Sequence, residues 1–538
     1  MPDSQLTEAT KKLISLYREQ PDKDYNKTDG AKIKVHDVTS TMAFLYEKVR
    51  NAVDYQEEYL LRKNAIVRIL KRRLATEKSE FDVAKFLISE LIRAKYLPNN
   101  TIPESRIADI EEIVEKYTLL FNKISLNKKT DEKKREGEKE KIFDWIIGIA
   151  SCEIEEKLVP RTCENAFLRY ATEIVNQKTI LANKKISSEE KEVLSFIAVL
   201  RSLTKSDLDL IRYQLFKLQH SEWYVAPSEE LIKRLAENIH SIISETEKQI
   251  NHPLGDVYLR YVKGKVAYFT ILWEIVEKNK DNPERIFAHH LYLEDAIKES
   301  CSRKYKEAAV KLKRSAVRSI LYILITKMTL ALILELPFDK YIIGEVDYFA
   351  LGINIIFPPF LMFLVAFNIK IPSKKNTEKI VVGIKEMVYG KSTGSLYQIK
   401  IILKRNSFFN KLFRVFYALV FLISFGLIIF VLDKLSFSII SIVLFLFFLS
   451  VVSFFGIRIS QITRDLVVIE KKEGIKSFLA DLFSLPIIQM GRWLSTELSK
   501  INIFVFIFDF IIEAPFKTFV EIFEDWIGFM KEEKEKIY

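Results

Sequence analysis

The sequence predicts an all-α protein, in which a helical cytoplasmic domain is followed by a four-helix transmembrane region and by carboxy-terminal amphipathic helices. Two observations support this fold class. Only 15 Gly and 14 Pro interrupt the 538 residues, and long windows repeat apolar residues every three or four positions, as helices do. The second half of the chain also contains four apolar stretches of roughly 20 residues, the length that crosses a bilayer.

Residues 1–315 are predicted to form the cytoplasmic domain. Their apolar period predicts helices at about 40–75, 79–96, 104–123, 138–157, 161–177, 188–218, 228–250, 258–278 and 284–315. Residues 127–141 are almost all polar or charged, which predicts an exposed loop or a solvated helix start and a candidate break between subdomains. No repeat of roughly 33 to 45 residues occurs, so a compact helical array is favoured over a solenoid.

The transmembrane region is predicted over 316–460, with spans at 317–334, 349–369, 416–432 and 437–457. The loop 370–415 is rich in Lys and Arg, which places it in the cytoplasm by the positive-inside rule. The first 35 residues are polar and lack the apolar core of a secretory signal. We therefore predict a multi-pass protein of the bacterial inner membrane with both termini in the cytoplasm. The short connection 433–436 predicts a tight antiparallel hairpin of spans three and four.

Residues 461–538 are predicted to form one-sided helices at the inner leaflet. One apolar stripe covers Ile475–Phe483, and a second covers Phe516–Met530 behind Pro515. Between them, Ile501–Ile512 is too short to cross a bilayer alone, so this segment is predicted to be interfacial or re-entrant.

The formal charge of +11 and the pI near 9.1 come largely from Lys and Arg beside the predicted spans. Membrane orientation and attraction to acidic headgroups explain most of this charge, so the lipid bilayer is the first predicted partner. A nucleic-acid partner is not favoured, because the basic run at 68–73 is too short. The three Cys are widely spaced and odd in number, as is typical of reduced, packed thiols.

Lys327 lies near the middle of the first predicted span, where a charged side chain costs about 2.5–3.5 kcal/mol to insert unless it is paired or hydrated. Glu335 lies about 12 Å further along the helix axis, too far for contact unless both side chains bend toward each other. Asp509 or Glu513 would be alternative partners if the tail enters the bundle. A structural ion pair or a snorkelling Lys is favoured over a proton or ion path.

Asn354, Pro358 and Pro359 interrupt the second predicted span. The two prolines remove hydrogen bonds from the helix and predict a kink. Broken helices bind substrates in transporters, but the third and fourth spans contain no matching Asn-Pro-Pro element. A structural kink is therefore favoured over a substrate site.

The sequence supports no assignment of catalytic, cofactor-binding or metal-binding residues. Gly390-Lys-Ser-Thr has the letters that end a phosphate-binding loop, but Lys385 stands where the leading Gly should be. His289 and His290 are adjacent on a predicted helix, so their side chains diverge by about 100° and do not form a one-faced metal-binding pair. Whether the chain is an enzyme stays open, with a non-enzymatic role favoured.

Four stretches are similar to segments of a group of membrane proteins. They are Phe478–Trp493, Phe508–Lys517, Phe357–Phe363 and Lys205–Tyr213. In these stretches the chain resembles uncharacterised multi-span membrane proteins predicted from the genomes of ultrasmall candidate-phylum bacteria. The resemblance implies a shared architecture over most of the chain. That family has no assigned activity, so no functional residue is carried across.

Together, these patterns favour a membrane-anchored scaffold or docking platform that binds a cytoplasmic protein through its helical domain. More than half of the chain lies in that domain, whereas the four spans carry few polar groups. The first alternative is a transporter or channel-like component that uses Lys327, Glu335 and the kinked second span. The second alternative is an enzyme with its site at the membrane boundary. The oligomeric state stays open.

Overall fold

The structure is a computed structural model. It describes residues 6–19, 30–35, 37–51, 58–75, 83–124, 132–181, 186–225, 227–280, 282–390, 397–399, 407–469 and 474–500, and isolated positions between 515 and 534. The chain divides into two compact units. The helical unit comprises Ala9–Lys178, Lys185–Val262 and Ile503–Tyr538, and the membrane unit comprises Met1–Glu8, Thr179–Lys184 and Lys263–Asn502.

The predicted all-α fold is confirmed. Within the described residues, the strands are two short segments of the membrane unit, β1 (Thr179–Leu181) and β2 (Tyr397–Ile399), which pair in parallel. Helices make up nearly all of the remaining regular structure. The four helices long and apolar enough to cross a membrane all lie in the second half of the chain.

The helical unit contains an apolar core to which six of its helices contribute. Its helices are α1 (Glu8–Glu19), α2 (Asp37–Asn51), α3 (Glu58–Ala75), α4 (Val83–Arg93), α5 (Ser105–Asn122), α6 (Glu132–Leu158), α7 (Thr162–Lys178), α8 (Ser188–Val199), α9 (Leu208–Gln219), α10 (Glu229–Ile250) and α11 (Gly255–Lys263). The main core cluster runs from Ile33 to Ile239, and the six helices are α3 to α6, α9 and α10. Residues on both sides of the charged stretch 127–141 therefore share this core, and α6 begins inside that stretch.

Three of the predicted helices are divided in the structure. The window 188–218 contains α8 and α9, the window 258–278 contains two helices (Gly255–Lys263 and Val266–Lys278), and the window 284–315 contains Pro283–Ala288 and the start of a helix at His290. The window 40–75 contains α2 and α3, and residues 52–57 between them lie outside the described residues. After α8 the backbone forms a π-helical turn, and Lys205 then adopts a left-handed conformation with φ of 52° that ends the helix. The side chain of Asp207 accepts a hydrogen bond from the backbone N–H of Leu210 and so begins α9.

The membrane unit contains the apolar helices and several helices that precede or connect them. They are α12 (Val266–Lys278), α13 (Pro283–Ala288), α14 (His290–Leu330), α15 (Leu336–Phe338), α16 (Tyr348–Asn368), α17 (Lys374–Tyr389), α18 (Ser407–Lys434), α19 (Ile439–Arg464) and α20 (Ile475–Lys500). The π-helical turn Ala331–Glu335 joins α14 to α15, and the π-helical turn Asp339–Ile343 continues α15. Together they form one continuous helix of 54 residues, His290–Ile343. Each predicted span corresponds to one apolar helix.

The first span differs from its prediction at its end. The helix continues past Leu334 to Ile343, so most of the predicted loop from Glu335 to Tyr348 is helical. Glu335 and Asp339, which lie beyond the predicted end of the span at residue 334, are buried. The connection that remains is short, and the side chain of Asp347 caps α16 by accepting hydrogen bonds from two backbone N–H groups.

The carboxy-terminal helix α20 packs against the membrane helices themselves. A Cβ added at Gly491 would lie 2.0 Å from the carbonyl oxygen of Ser450, which is near the middle of α19. Tyr417 of α18 donates a hydrogen bond to Gln489 of α20. Helix α18 therefore packs mainly against α20 and only slightly against α19. The connection between α18 and α19 is as short as predicted, but the two spans do not pack tightly against each other as a hairpin. The placement of the tail at the inner leaflet stays a prediction.

One buried amide joins the ends of three helices. The Asn376 side chain of α17 donates to the carbonyl of Leu466 at 2.8 Å and to the Tyr305 hydroxyl at 2.9 Å, and accepts from the Val468 N–H at 2.8 Å. The end of α16, the end of α19 and the start of the first span therefore lie at the same end of the membrane helices.

Candidate functional site

The most unusual side chains of the membrane unit form one buried group, which we call the membrane polar cluster. Its members are Lys327, Glu335, Asn354, Ser441 and the ring of Phe448. They come from α14 and its π-helical extension, from α16 and from α19. Lys327, Glu335 and Asn354 are all fully buried.

Lys327 and Glu335 form an ion pair, contrary to the sequence-based distance argument. The Lys327 Nζ atom lies 3.6 Å from Glu335 Oε2. In a regular α-helix, residues eight positions apart point about 80° away from each other. The π-helical turn Ala331–Glu335 adds a residue to one turn, which rotates Glu335 back to the face of Lys327.

The Glu335 carboxylate also connects three helices. Its Oε1 atom accepts hydrogen bonds from the Asn354 side-chain amide and from the Ser441 hydroxyl. The same Asn354 amide donates to the backbone carbonyl of Ser441 at 3.2 Å. Because hydrocarbon offers no hydrogen bonds, this arrangement holds α14, α16 and α19 together through polar contacts that lipid cannot replace.

The pairing of the ammonium group is incomplete. The Lys327 Nζ atom lies 5.3 Å from the centre of the Phe448 ring, which is a cation–π distance. Within the described structure, Lys327 Nζ, Glu335 Oε2 and Asn354 Oδ1 have no hydrogen-bond partner. The cluster therefore has charge balance but unused hydrogen-bonding capacity.

The structure places the other candidate residues as follows. Pro358 and Pro359 are buried within α16, which continues through both of them. Since Pro358 has no N–H, the backbone carbonyl of Asn354 lacks its normal helical donor beside the cluster. The kink itself stays a prediction. Asp509 and Glu513 lie outside the described residues.

Three members of this region were missed by sequence reasoning. Ser441 and Phe448 follow no motif, since a single Ser or Phe in an apolar helix is ordinary. Asp339 lies beyond the predicted end of the first span, yet it is 6% exposed and its Oδ1 atom has no hydrogen-bond partner in the described structure. Its spacing of four residues from Glu335 was the one available signal.

The helical unit contains buried charges of a different kind. Lys116 lies 2.5 Å from Glu153, whose other oxygen accepts a hydrogen bond from Tyr117. Burial raises the pKa of Glu153 above its ordinary value, although Lys116 and Tyr117 act in the opposite direction. Burial and the nearby Glu153 raise the pKa of Tyr117 well above its ordinary range. These groups are engaged with one another in the core, as a structural network would be.

The segment Lys205–Tyr213, which carries part of the family resemblance, has a structural role. Asp207 and Asp209 lie 2.5 Å and 2.9 Å from the buried Lys63 ammonium group. Arg212 also pairs with Asp209. The segment therefore fixes α9 against α3.

An open cavity of about 700 Å³ lies between α3, α4, α5 and α6 of the helical unit. Its described lining contains no Asp or Glu. The guanidinium of Arg73 lies 3.4 Å from the ring of Phe86, and the Lys139 ammonium lies 5.7 Å from the ring of Phe121. The lining residues are Leu70, Arg73, Leu74, Val83, Val114, Tyr117, Thr118, Phe121, Asn122, Lys139, Phe143, Ile146, Ile147 and Ala150.

Metal-competent side chains are dispersed in the part of the chain that the structure describes. No three His, Cys, Asp or Glu residues there come together as a metal site. The ring of His290 lies 3.9 Å from that of Tyr389, and His289 contacts Tyr292 edge-on. Cys152, Cys163 and Cys301 are buried thiols.

Taken together, four long apolar helices and a sealed polar cluster between them are the features of a multi-pass membrane protein. The chain matches no family model, no curated protein and no solved structure. The membrane polar cluster and the cavity of the helical unit are the candidate functional sites.

Proposed function

We propose that this protein is a membrane-anchored docking platform of a bacterial inner membrane, with both termini in the cytoplasm. In this proposal the four apolar helices are the anchor, and the helical unit binds a cytoplasmic protein. The observation that carries the proposal is the sealing of the membrane polar cluster. Its charged groups neutralise each other and are fully buried, so they hold the anchor together.

The helical unit supplies a surface suited to a protein partner. Its open cavity has apolar and aromatic walls, including the edge-on ring pair of Phe121 and Phe143 at 5.2 Å. Pockets of this kind accept apolar side chains of a binding partner, which is where binding energy concentrates.

Site-specific photo-crosslinking in native membranes tests the proposal. A photoreactive residue at Asn122, which is exposed at the rim of the cavity, should yield one adduct of defined mass with a cytosolic protein. The matched control carries the same group at Lys233, an exposed position of α10 away from the cavity lining. Equal labelling from both positions, or no adduct from Asn122, would contradict docking at this surface.

A second candidate function is ion or proton transfer, and one observation favours it. Lys327 Nζ and Glu335 Oε2 form an ion pair but make no hydrogen bond within the described structure, so these titratable groups have hydrogen-bonding capacity to spare. Transfer predicts pH-dependent flux in reconstituted vesicles that E335Q abolishes and that the matched exposed change D433N leaves intact. Absence of flux from the unmodified protein would leave the cluster with its structural role.

A further inference from the structure

Exposed cations gather at one end of the membrane helices. They are Lys311, Lys313, Arg314 and Arg318 of α14, Lys370 after α16, Lys374, Lys375 and Lys379 of α17, Lys411 and Arg414 of α18, and Arg458 and Arg464 of α19. We call these residues the basic belt. The contacts of Asn376 show that α14, α17 and the end of α19 share this end of the bundle. Helix α18 joins them because a short turn connects its far end to α19.

The belt continues the lipid-facing surface of the helices. Arg314 and Arg318 stand one to two helical turns before Leu321 and Ile325, which are 53% and 62% exposed. Residues at these spacings share a face of a helix. Leu312 and Ala316, which are buried, lie on the opposite face of the helix from Arg314 and Arg318. The cations therefore lie where the apolar surface meets the headgroup layer, and their stems can reach along it.

The same relation holds at the other spans. Lys411 of α18 lies one turn before Val415, which is 64% exposed, and beside the exposed Leu412. Lys370 lies one turn after Phe367, which is 78% exposed. These cations thus border exposed apolar surface of the spans, which hydrocarbon would cover in a membrane.

In the described part of the chain, the belt cations also differ from other cations of the membrane unit in their ion pairs. Arg303 and Lys304 pair with Glu274, and Lys385 pairs with Glu294 at 2.5 Å. Within the described part of the chain, no residue of the basic belt forms an ion pair. Among the described residues, the membrane unit therefore neutralises the cations between α12, α14 and α17, whereas the belt cations make no ion pair there.

Charge at the two ends of the spans is asymmetric. From the first belt residue of α14 onward, and in the turn before it, the exposed acids on these segments are Glu307, Glu378 and Asp465; Asp295 and Glu299 of α14 are also exposed but lie more than two turns before Lys311. At the opposite end, Lys340 and Lys434 are exposed together with Glu345, Asp347 and Asp433. Among the described residues, an excess of exposed positive charge therefore lies at only one end of the spans.

From the exposure and position of these residues, and because they make no ion pair in the described part of the chain, we propose that the basic belt binds anionic phospholipid headgroups of the adjacent leaflet. Phosphate oxygens accept charge-assisted hydrogen bonds from Lys and Arg, as carboxylate oxygens do in an ion pair within a protein. The proposal is independent of the docking function, because it concerns the anchor and the lipids around it.

The test measures which lipids stay with the protein. The full chain is reconstituted into phosphatidylcholine vesicles doped with phosphatidylglycerol, and polymer-extracted particles are analysed for the ratio of the two lipids relative to the bulk vesicle. Two variants, R314Q/R318Q and K411Q/R414Q, remove belt cations. The matched control K340Q/K434Q removes two exposed cations at the opposite end. Protease accessibility confirms that each variant keeps the orientation of the unmodified chain.

We expect phosphatidylglycerol enrichment around the unmodified chain, a loss toward the bulk ratio in both belt variants, and full enrichment in the control. High salt should abolish the enrichment of the unmodified chain, a readout that needs no substitution. A bulk lipid ratio around the unmodified chain, or equal loss in the control, overturns the proposal. So does binding of a single-stranded oligonucleotide under salt conditions that abolish lipid enrichment, which would assign the belt to nucleic acid.

Discussion

A double-mutant cycle on Lys327 and Glu335 tests whether these two residues of the membrane polar cluster interact as an ion pair. In E335Q, the glutamine oxygen can still accept the hydrogen bonds of Asn354 and Ser441, but Lys327 loses its counter-charge. In K327M, the carboxylate keeps its two hydrogen bonds and loses the ammonium. The double variant K327M/E335Q has no charge in the bundle and conserves most of the volume.

The expected loss of unfolding free energy in each variant follows from the burial of Lys327 and Glu335. A lone charge in the middle of a span costs about 2.5–3.5 kcal/mol on insertion scales, and removing one partner of a buried pair costs about 3–5 kcal/mol. With both side chains fully buried, we expect each single variant to lower the free energy of unfolding by about 3 kcal/mol. The double variant should lie within about 1 kcal/mol of the unmodified chain, because neutral replacement of a whole buried pair is often neutral or stabilising.

Equilibrium unfolding in mixed micelles, followed by tryptophan fluorescence, measures the four free energies. The interaction is the difference between the double variant and the sum of the singles. If the effects of the two single changes simply add to within about 0.5 kcal/mol, the charges are not coupled. That result would refute the inference that the π-helical turn brings Lys327 and Glu335 together as an ion pair.

Two further predictions concern packing and pH. G491A should lower the free energy of unfolding by about 1–3 kcal/mol, because its Cβ would lie 2.0 Å from the Ser450 backbone oxygen. The control G352A should be tolerated, because its Cβ would have no atom within 4 Å. Equal effects of the two changes in the same assay would argue against close packing of α19 and α20. Burial tends to raise the pKa of Glu156, but Lys217 and other partners outweigh it and lower the pKa from 4.5. The stabilisation by Glu156 is therefore complete above pH 4.5 and is lost as the pH falls through the lower, folded-state pKa. E156Q should destabilise the chain at pH 7 and less so in acid, and a gap in unfolding free energy that widens on acidification would contradict this sign.

The sequence predicted the spans well because hydropathy reflects transfer from water to hydrocarbon, which depends on composition alone. It also predicted that Lys327 must have compensation. It failed to assign Glu335 as the partner because regular helical geometry separates the two side chains, and no residue pattern indicates the π-helical turn that brings them together.

The role of α20 escaped sequence reasoning for a related reason. The helix contains Pro486 and several polar residues, so its composition is that of an interfacial helix. The small residue Gly491 allows the backbones of α20 and α19 to approach closely, so α20 can pack against α19. Asn354 shows the same limitation, because it was interpreted as a helix interruption and is in fact the amide donor to Glu335.

The uninterrupted helix from His290 to Ile343 has a mechanical consequence. At about 1.5 Å per residue it is a rod roughly 80 Å long, with the Lys327–Glu335 pair in one half and the Glu294–Lys385 contact in the other. Without a loop or Gly hinge between the two halves, the rod resists bending, so a change of tilt inside the bilayer swings the outer half through the same angle. The lipids that surround one half thereby set the direction of the other.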